Sequence, residues 1–358
     1  MAGGAFVKII KEMKERGHES IIFCQDRESG LKAIIAVHNT VLGPALGGTR
    51  MWNYENETLA LEDVLRLSKG MTYKSAAAGI GLGGGKAVII GDPHKAKSES
   101  LFRVFGKFIN MLNGKYITAE DVGTSVADML NIRKETKFVA GLPESCGSSG
   151  DPSPFTAYGV YCGIKAGAKE VYGKDSLKGK TVAIQGLGNV GYSLAKHLHA
   201  EGAKLIVYDI RKDRLKKAGK EFKAKIIREE NEIFNAECDI FSPCALGGIL
   251  NDKTIPGLKC RLIAGAANNQ LLFEERHGEM LDKKKIIYIT DFVINAGGII
   301  NIFAEIEGKY NARKAKADVS KIYQNVERML ALAKKKNITT YSSAVLMAEE
   351  RLNRRKKS

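Results

Sequence analysis

Phe6, Ile9, Ile10 and Met13 recur at helical spacing, which predicts a helix over 5–16 stopped by Gly17. Shorter apolar runs at 21–25 and 31–38, joined by the turn 27–30, read as two strands. GPALGGTRMW then reads as a loop, and Leu59, Leu61, Val64, Leu65 and Leu67 give the apolar side of a helix over 57–77. A buried strand is expected at 87–90, a helix capped by Ser98 or Ser100 up to 113, a short strand at 116–119 and a helix at 124–134. GSSGDPSP at 147–154 has the turn-rich composition of an interdomain hinge, and a helix over 154–171 follows it. Beyond it, strands are predicted at 180–185, 204–208, 239–243, 261–265 and 286–290, with a helix after the first ending near 201. An apolar helix opens at 291–306, and helices at about 319–335 and 341–353 close the chain. Strands alternating with helices in both halves predict an α/β protein of two domains.

Composition adds exclusions. No run of about 18 apolar residues exists and charges thread the start, so neither a membrane span nor a signal peptide is expected. The six cysteines (24, 146, 162, 238, 244, 260) form no CxxC pair and the six histidines no HExxH cluster. We therefore expect no metal site, and thiols suited to a reducing cytoplasm. The formal charge of +16 invites a nucleic-acid reading, but no recognition motif accompanies it. Much of that charge sits in solvated helical runs such as 211–225 and in the tail 351–357. A lysine-rich surface of the kind common in heat-stable proteins explains it without a specific nucleic-acid partner.

Two stretches carry chemistry. In KGMTYKSAAAGIGLGGGKAV (69–88), Lys74 and Lys86 flank a run of small residues that includes Gly79, Gly81, Gly83, Gly84 and Gly85. Glycine at that density lets a backbone approach a ligand closely, with an anion clamp at one lysine and an amine that loses its proton easily at the other. A nucleotide P-loop is excluded, because Ile80 and Ala87 stand where it needs glycine and Ser or Thr. Asp121, at the end of the strand 116–119, is either a catalytic carboxylate or the N-cap of the next helix. The second stretch is a strand running into Gly186-Leu-Gly188-Asn189-Val190-Gly191, a helix, and a second strand ending in Asp209. That order is the dinucleotide-binding pattern, with the pyrophosphate at the helix N-terminus and Asp209 on the adenosine ribose, which favours NAD over NADP. Arg211 and Lys212, close behind, could hold a 2′-phosphate, but read first as solvated charges opening the next helix. Ser242, Ala266 and Asn268, at later strand ends, would face the crevice where dinucleotides bind.

PALGGTRM (44–51), KGMTYK (69–74), GLGGGKAVIIGDP (81–93), YITAEDVGT (116–124), SPFTAYGV (153–160), GLGNVG (186–191), GAANNQL (265–271) and INAGGIIN (294–301) together resemble the Glu/Leu/Phe/Val dehydrogenase family, nearest its leucine branch. The resemblance implies oxidative deamination of an L-amino acid to the 2-oxo acid and ammonia, with NAD reduced. It implies that Lys74 holds the substrate α-carboxylate, that Lys86 is the catalytic base, and that Asp121 exchanges protons as the carbinolamine forms and collapses. By the same similarity, Gly47, Gly48, Leu46, Ala119 and Val293 line the substrate pocket, Asn268 lies near the amino group and nicotinamide, and Thr156 lies on the cofactor side. Gly186, Gly188, Asn189, Val190, Gly191, Asp209, Ala266 and Asn268 complete the nucleotide contacts. The pocket residues are apolar, and no cation is offered for a second carboxylate, Lys69 reading as solvated. Branched aliphatic substrates are thus expected before phenylalanine. The implied architecture is a substrate-binding and oligomerisation domain (1–145, joined by the C-terminal helix 335–358) and a Rossmann NAD-binding domain (146–334), separated by a cleft. It also implies a cytoplasmic homo-oligomer, an octamer in the leucine branch. Asp151 fits no part of this pattern. A non-catalytic NAD-binding regulator with a basic surface is the rival class, but it leaves Lys74, Lys86 and Asp121 without a use.

Overall fold

The computed structural model describes residues 6–308 and 310–357. The chain divides into two units: Met1–Asp151 with Ile302–Tyr310 and Ala348–Ser358, and Pro152–Asn301 with Asn311–Met347. The expected first helix is α1 (Phe6–Arg16), and Ala5 of that expectation lies outside the described residues.

Among the described residues, the first unit holds a mixed sheet of β1 (Ser20–Asp26), β2 (Leu31–Asn39), β3 (Ala45–Leu46), β4 (Thr49–Trp52), β5 (Gly83–Ile90) and β6 (Tyr116–Ile117). The order is β1-β2-β5-β3-β6, with β4 also on β5. β2 is antiparallel to β5, whereas β3 and β4 run parallel to it. Alternation along β2 and β5 sorts side chains to the two faces. Ala33, Ile35, Val37, Ala87 and Ile89 join Leu101, Phe102 and Phe105 of α3 (Glu99–Met111) and Met129 and Ile132 of α4 (Val126–Arg133). Ile34, Ala36 and Val88 pack instead on Ala60, Val64 and Leu65 of α2 (Glu57–Ala78). Gly84, Lys86 and Val88 therefore share the face that α2 covers.

Two expectations are corrected here. The glycine-rich stretch is not a loop leading to a strand at 87: β5 begins at Gly83. The three glycines that open β5 are closed off by the protein itself: a Cβ on Gly83, Gly84 or Gly85 would lie 2.1 Å from Asn39 O, 2.1 Å from the Thr72 amide nitrogen or 2.8 Å from the Tyr116 ring. GPALGGTRMW is likewise not a loop, because β3 and β4 pair with β5 on either side of Gly47-Gly48. Ser125, not Asp121, caps α4, in a capping box with Asp128. Ser125→Ala should cost about 1 kcal/mol of stability, read as a lowered denaturation midpoint with activity retained.

The second unit carries a parallel sheet of β7 (Thr181–Gln185), β8 (Lys204–Tyr208), β9 (Lys225–Ile226), β10 (Ile240–Pro243), β11 (Leu262–Ile263) and β12 (Ile287–Tyr288). Its order is β12-β11-β10-β7-β8-β9, the doubly wound dinucleotide-binding arrangement. Val182, Ala183 and Ile184 are buried, as a central parallel strand requires. Three helices bear on the nucleotide motif and its flanks: α5 (Ser153–Tyr172), α6 (Asn189–Ala200) and α7 (Lys212–Phe222). The basic run 211–225 is not helical throughout. α7 stops at Lys223, whose φ is 52°, and Lys225 opens β9. The apolar stretch from 291 is two helices, Asp291–Ile294 and Gly297–Ile306, and a helix Ala312–Ser320 precedes Ile322–Lys336 and Thr340–Lys357.

Among the described residues no helix is long and apolar enough to cross a membrane, and no group of three or more His, Cys, Asp or Glu is placed to hold a metal ion.

Candidate active site and nucleotide site

Lys86 stands on β5 opposite Ala36 of β2, and is 5% exposed. Its Nζ lies 3.1 Å from Asp121 Oδ2. Asp121 reaches that position because Glu120 bridges to Thr49, beside β5, and because Gly48 is bare: a Cβ there would come within 2.9 Å of Asp121 Cβ. Thr124 fixes the turn, its Oγ1 accepting from the Asp121 amide at 3.0 Å and donating to Thr49 O at 2.8 Å. With Ser125 as the helix cap, the Asp121 carboxylate is left to its cations.

Burial holds the Lys86 amine below the usual lysine range; Asp121 opposes that shift and Arg50 adds to it. For Asp121, burial alone would raise the carboxyl, but Lys86 and Arg50 outweigh it and hold the group below the usual carboxylate range. An amine that gives up its proton readily, beside a carboxylate that stays ionised, is a proton-transfer pair.

Lys74 is partly buried on α2, two residues beyond Thr72, whose main chain touches Gly84. Leu46 and Ala119 are both buried, Leu46 facing Gly84 in register and Ala119 accepting the Thr49 amide at 2.8 Å. Gly47 lies against the Gly85 carbonyl. Lys69 is exposed, its Nζ over the Tyr73 ring at 5.7 Å. Asp151 is exposed, and its charge is among the causes, after burial, that raise the Glu120 carboxyl.

In the second unit, the three motif glycines are there for different reasons. Gly186 has φ 98° and lies against Ala245, and Gly191 packs on the Gly186 carbonyl. A Cβ on Gly188 would meet only Arg214, 3.8 Å away, so Gly188 is the glycine open to a ligand. Asn189 and Val190 form the first turn of α6. Beside this turn lies a groove of about 290 Å³, lined by Gly186, Gly188, Asp209, Ile210, Arg214 and Leu246 among others. Asp209 accepts the Leu187 amide at 2.6 Å on Oδ2 and the Arg211 amide at 2.8 Å on Oδ1. Each carboxylate oxygen has a second lone pair for a hydroxyl. Arg211 is turned onto Asp213 through two hydrogen bonds of 3.2 and 2.8 Å. Further along, Asn268 is exposed, Val293 is buried, and Thr156 donates to Pro152 O at 3.1 Å.

Sequence reasoning missed two groups. Arg50 donates its Nε to Asp121 Oδ2 at 3.0 Å and its Nη1 to Asp63 Oδ2 at 2.9 Å. Buried Asn295 donates its amide to Ala266 O at 3.0 Å and to Asn268 Oδ1 at 2.9 Å, orienting the residue the sequence did single out. The available signal was an arginine two residues past a glycine pair and an asparagine within an apolar stretch.

A doubly wound sheet with an aspartate-ended second strand, joined in one chain to a buried amine–carboxylate pair, is the equipment of a nucleotide-dependent dehydrogenase. The chain is an amino acid dehydrogenase of the Glu/Leu/Phe/Val dehydrogenase family: the sequence model of the family's dimerisation domain matches residues 18–138, and that of Glutamate/Leucine/Phenylalanine/Valine dehydrogenase matches 147–209 and 207–358. It is 58% identical over 352 residues to leucine dehydrogenase of Geobacillus stearothermophilus, covering 98% of this chain and 95% of that one. To phenylalanine dehydrogenase of Lysinibacillus sphaericus it is 50% identical over 335 residues, covering 92% and 87%. The crystal structure of L-tryptophan dehydrogenase from Nostoc punctiforme matches 97% of this chain and 99% of its own at 45% identity, with a TM-score of 0.83.

Proposed function

We propose that this protein catalyses the reversible oxidative deamination of a branched-chain L-amino acid, leucine with valine and isoleucine beside it, to the 2-oxo acid and ammonia, with NAD as oxidant. The observation that carries the reading is the buried Lys86 amine 3.1 Å from Asp121. NAD, when bound, takes the hydride from the substrate Cα. Open Gly188, the N-terminus of α6 and Asp209 are the groups that suit it, and Asn189, Val190, Gly186, Gly191, Ala266, Asn268 and Thr156 complete its residues in this reading. The Asp209 carboxylate disfavours a 2′-phosphate; Arg211 is turned onto Asp213, and Arg214 Nη1, in the same groove, lies 4.0 Å from Asp209 Oδ2.

Lys74 holds the substrate carboxylate as a point charge. Lys86, as the free amine, takes a proton from the water that adds to the iminium carbon. Asp121 starts ionised and therefore relays a proton: it accepts one from the Lys86 ammonium and passes it to the amino group, and as the C–N bond breaks and ammonia leaves, the freed Lys86 amine takes the proton of the carbinolamine hydroxyl. Leu46 and Ala119 offer apolar surface to the side chain, and a second carboxylate buried there would be unpaired. We extend the reading to a homo-oligomer, an octamer by resemblance; the exposed Phe23 on edge strand β1 is an apolar surface such an assembly can cover.

Absorbance at the NADH band tests this, with leucine, valine, isoleucine, phenylalanine and glutamate offered at alkaline pH with NAD or NADP. The branched substrates with NAD should give the highest kcat/KM, separated from one another by about 10–200-fold at most, since one methylene is worth only about 1–3 kcal/mol. Phenylalanine outranking leucine would reassign the substrate. No reduction with any of the five, while NAD still binds, would overturn the reading.

A further inference from the structure

Behind the Lys86–Asp121 pair lies a second layer of charge that the proposed chemistry does not use. Asp121 Oδ2 receives two cations, Lys86 Nζ at 3.1 Å and Arg50 Nε at 3.0 Å. Arg50 Nη1 reaches Asp63 Oδ2 on α2 at 2.9 Å, and Tyr54 Oη donates to that same Asp63 oxygen at 2.6 Å. The side chains of Arg50 and Asp63 are only 20% and 15% exposed, so this is not a loose surface pair. The planar fork of a guanidinium can donate to two carboxylates at once, which an ammonium on a flexible stem does poorly.

We infer that Arg50, braced by Asp63, is a positioning residue that holds Asp121 Oδ2 on Lys86 and balances the charge of the pair. As a role in turnover, this rests on the function proposed above. Among the described residues, the charged groups that act most strongly on Lys86 are Asp121 from the loop after β6, Arg50 from β4 and Asp63 from α2. Arg50 makes the ammonium of Lys86 less stable, whereas Asp121 and Asp63 make it more so. Two substitutions in the outer layer should therefore move Lys86 in opposite directions. Arg50→Gln removes a positive charge and leaves Lys86 protonated to higher pH. Asp63→Asn removes a negative charge and lets Lys86 deprotonate at lower pH.

The test has two readouts on the full chain. In the first, kcat/KM for leucine is followed against pH. Its acid limb should move to higher pH in Arg50→Gln and to lower pH in Asp63→Asn. At its optimum Arg50→Gln should lose about 10–100-fold in kcat with KM little changed, the range expected for one charge-assisted hydrogen bond of roughly 1.5–3 kcal/mol. Arg50→Lys keeps the charge, so its limb should stay near that of the parent while kcat remains low. In the second readout, trace acetylation by acetic anhydride is followed by mass spectrometry on the Lys86 peptide. It reports the titration of the amine without turnover, and its midpoints should shift in the same opposed directions. Limbs or midpoints that shift the same way, or not at all, would reduce the network to a structural brace and overturn the inference. So would unchanged kcat in Arg50→Gln. If the parent protein fails to reduce NAD with any amino acid, the proposed function falls, and the labelling midpoints alone then decide on the network. Circular dichroism identifies a variant that has not folded; Arg50→Lys and Asp63→Asn, the more conservative changes, then carry the comparison.

Discussion

Lys86→Ala should lower kcat for amino-acid-dependent NADH formation by about 10²–10⁴-fold, the usual contribution of a general base. Nucleotide binding should survive, because Gly186–Gly191 and Asp209 belong to the other unit. The fold should survive as well, since Asp121 keeps the Arg50 guanidinium at 3.0 Å when the lysine goes. The pH profile gives the sharper check. In the parent protein kcat/KM should rise with pH as Lys86 gives up its proton, because only the free amine accepts one. Burial and Arg50 hold that step below the usual lysine range, while Asp121 stays ionised across it. In Lys86→Ala that limb should vanish. Stopped-flow absorbance across the pH range reads both effects, and a variant within threefold of the parent would remove Lys86 from the chemistry.

The largest effect on stability is expected at Gly47. A Cβ there would lie 1.7 Å from the Gly85 carbonyl oxygen and 3.1 Å from the Lys86 nitrogen. Both atoms are main chain in β5, the central strand, so neither can rotate aside. Overpacking usually costs about 1–3 kcal/mol, and a clash with fixed backbone belongs at or above that upper end. Gly47→Ala should therefore accumulate as unfolded protein or melt far below the parent. Gly70→Ala is the control: it lies within α2 with nothing within 4 Å of the added carbon, and should gain about 0.5–1 kcal/mol from helix propensity. Thermal melting of the two variants side by side makes the contrast, and equal midpoints would refute it.

The second unit's site was the easier to read from sequence. A strand, three spaced glycines, a helix and an aspartate-ended strand lie close together along the chain, so local order carries the geometry. The first unit is harder, because its site is assembled from distant segments. Lys86 and Asp121 could be nominated by residue type, but that Asp121 is not the helix cap became visible only with Ser125 in that place. Arg50 and Asp63 meet through the pairing of β4 with β5 and the seating of α2, which no spacing of theirs announces. β5 itself was mistaken at its start, since Gly83-Gly84-Gly85 has poor strand propensity and is held extended by partners on both sides. Lys225 and Ile226 were missed for the opposite reason, a two-residue edge strand following a highly charged helix.

The meeting of Thr72 with Gly84 is main chain against the bare face of a glycine. Exchange of side chains cannot lengthen or shorten it without unseating α2 from the sheet. The offset between the helix that bears Lys74 and the strand that bears Lys86 is then a constant of the architecture, as a gauge block is in a machine. On the function proposed above, the backbone end of any amino acid turned over must suit that one spacing, and a change of diet would be written in residues such as Leu46 and Ala119 that leave the gauge alone.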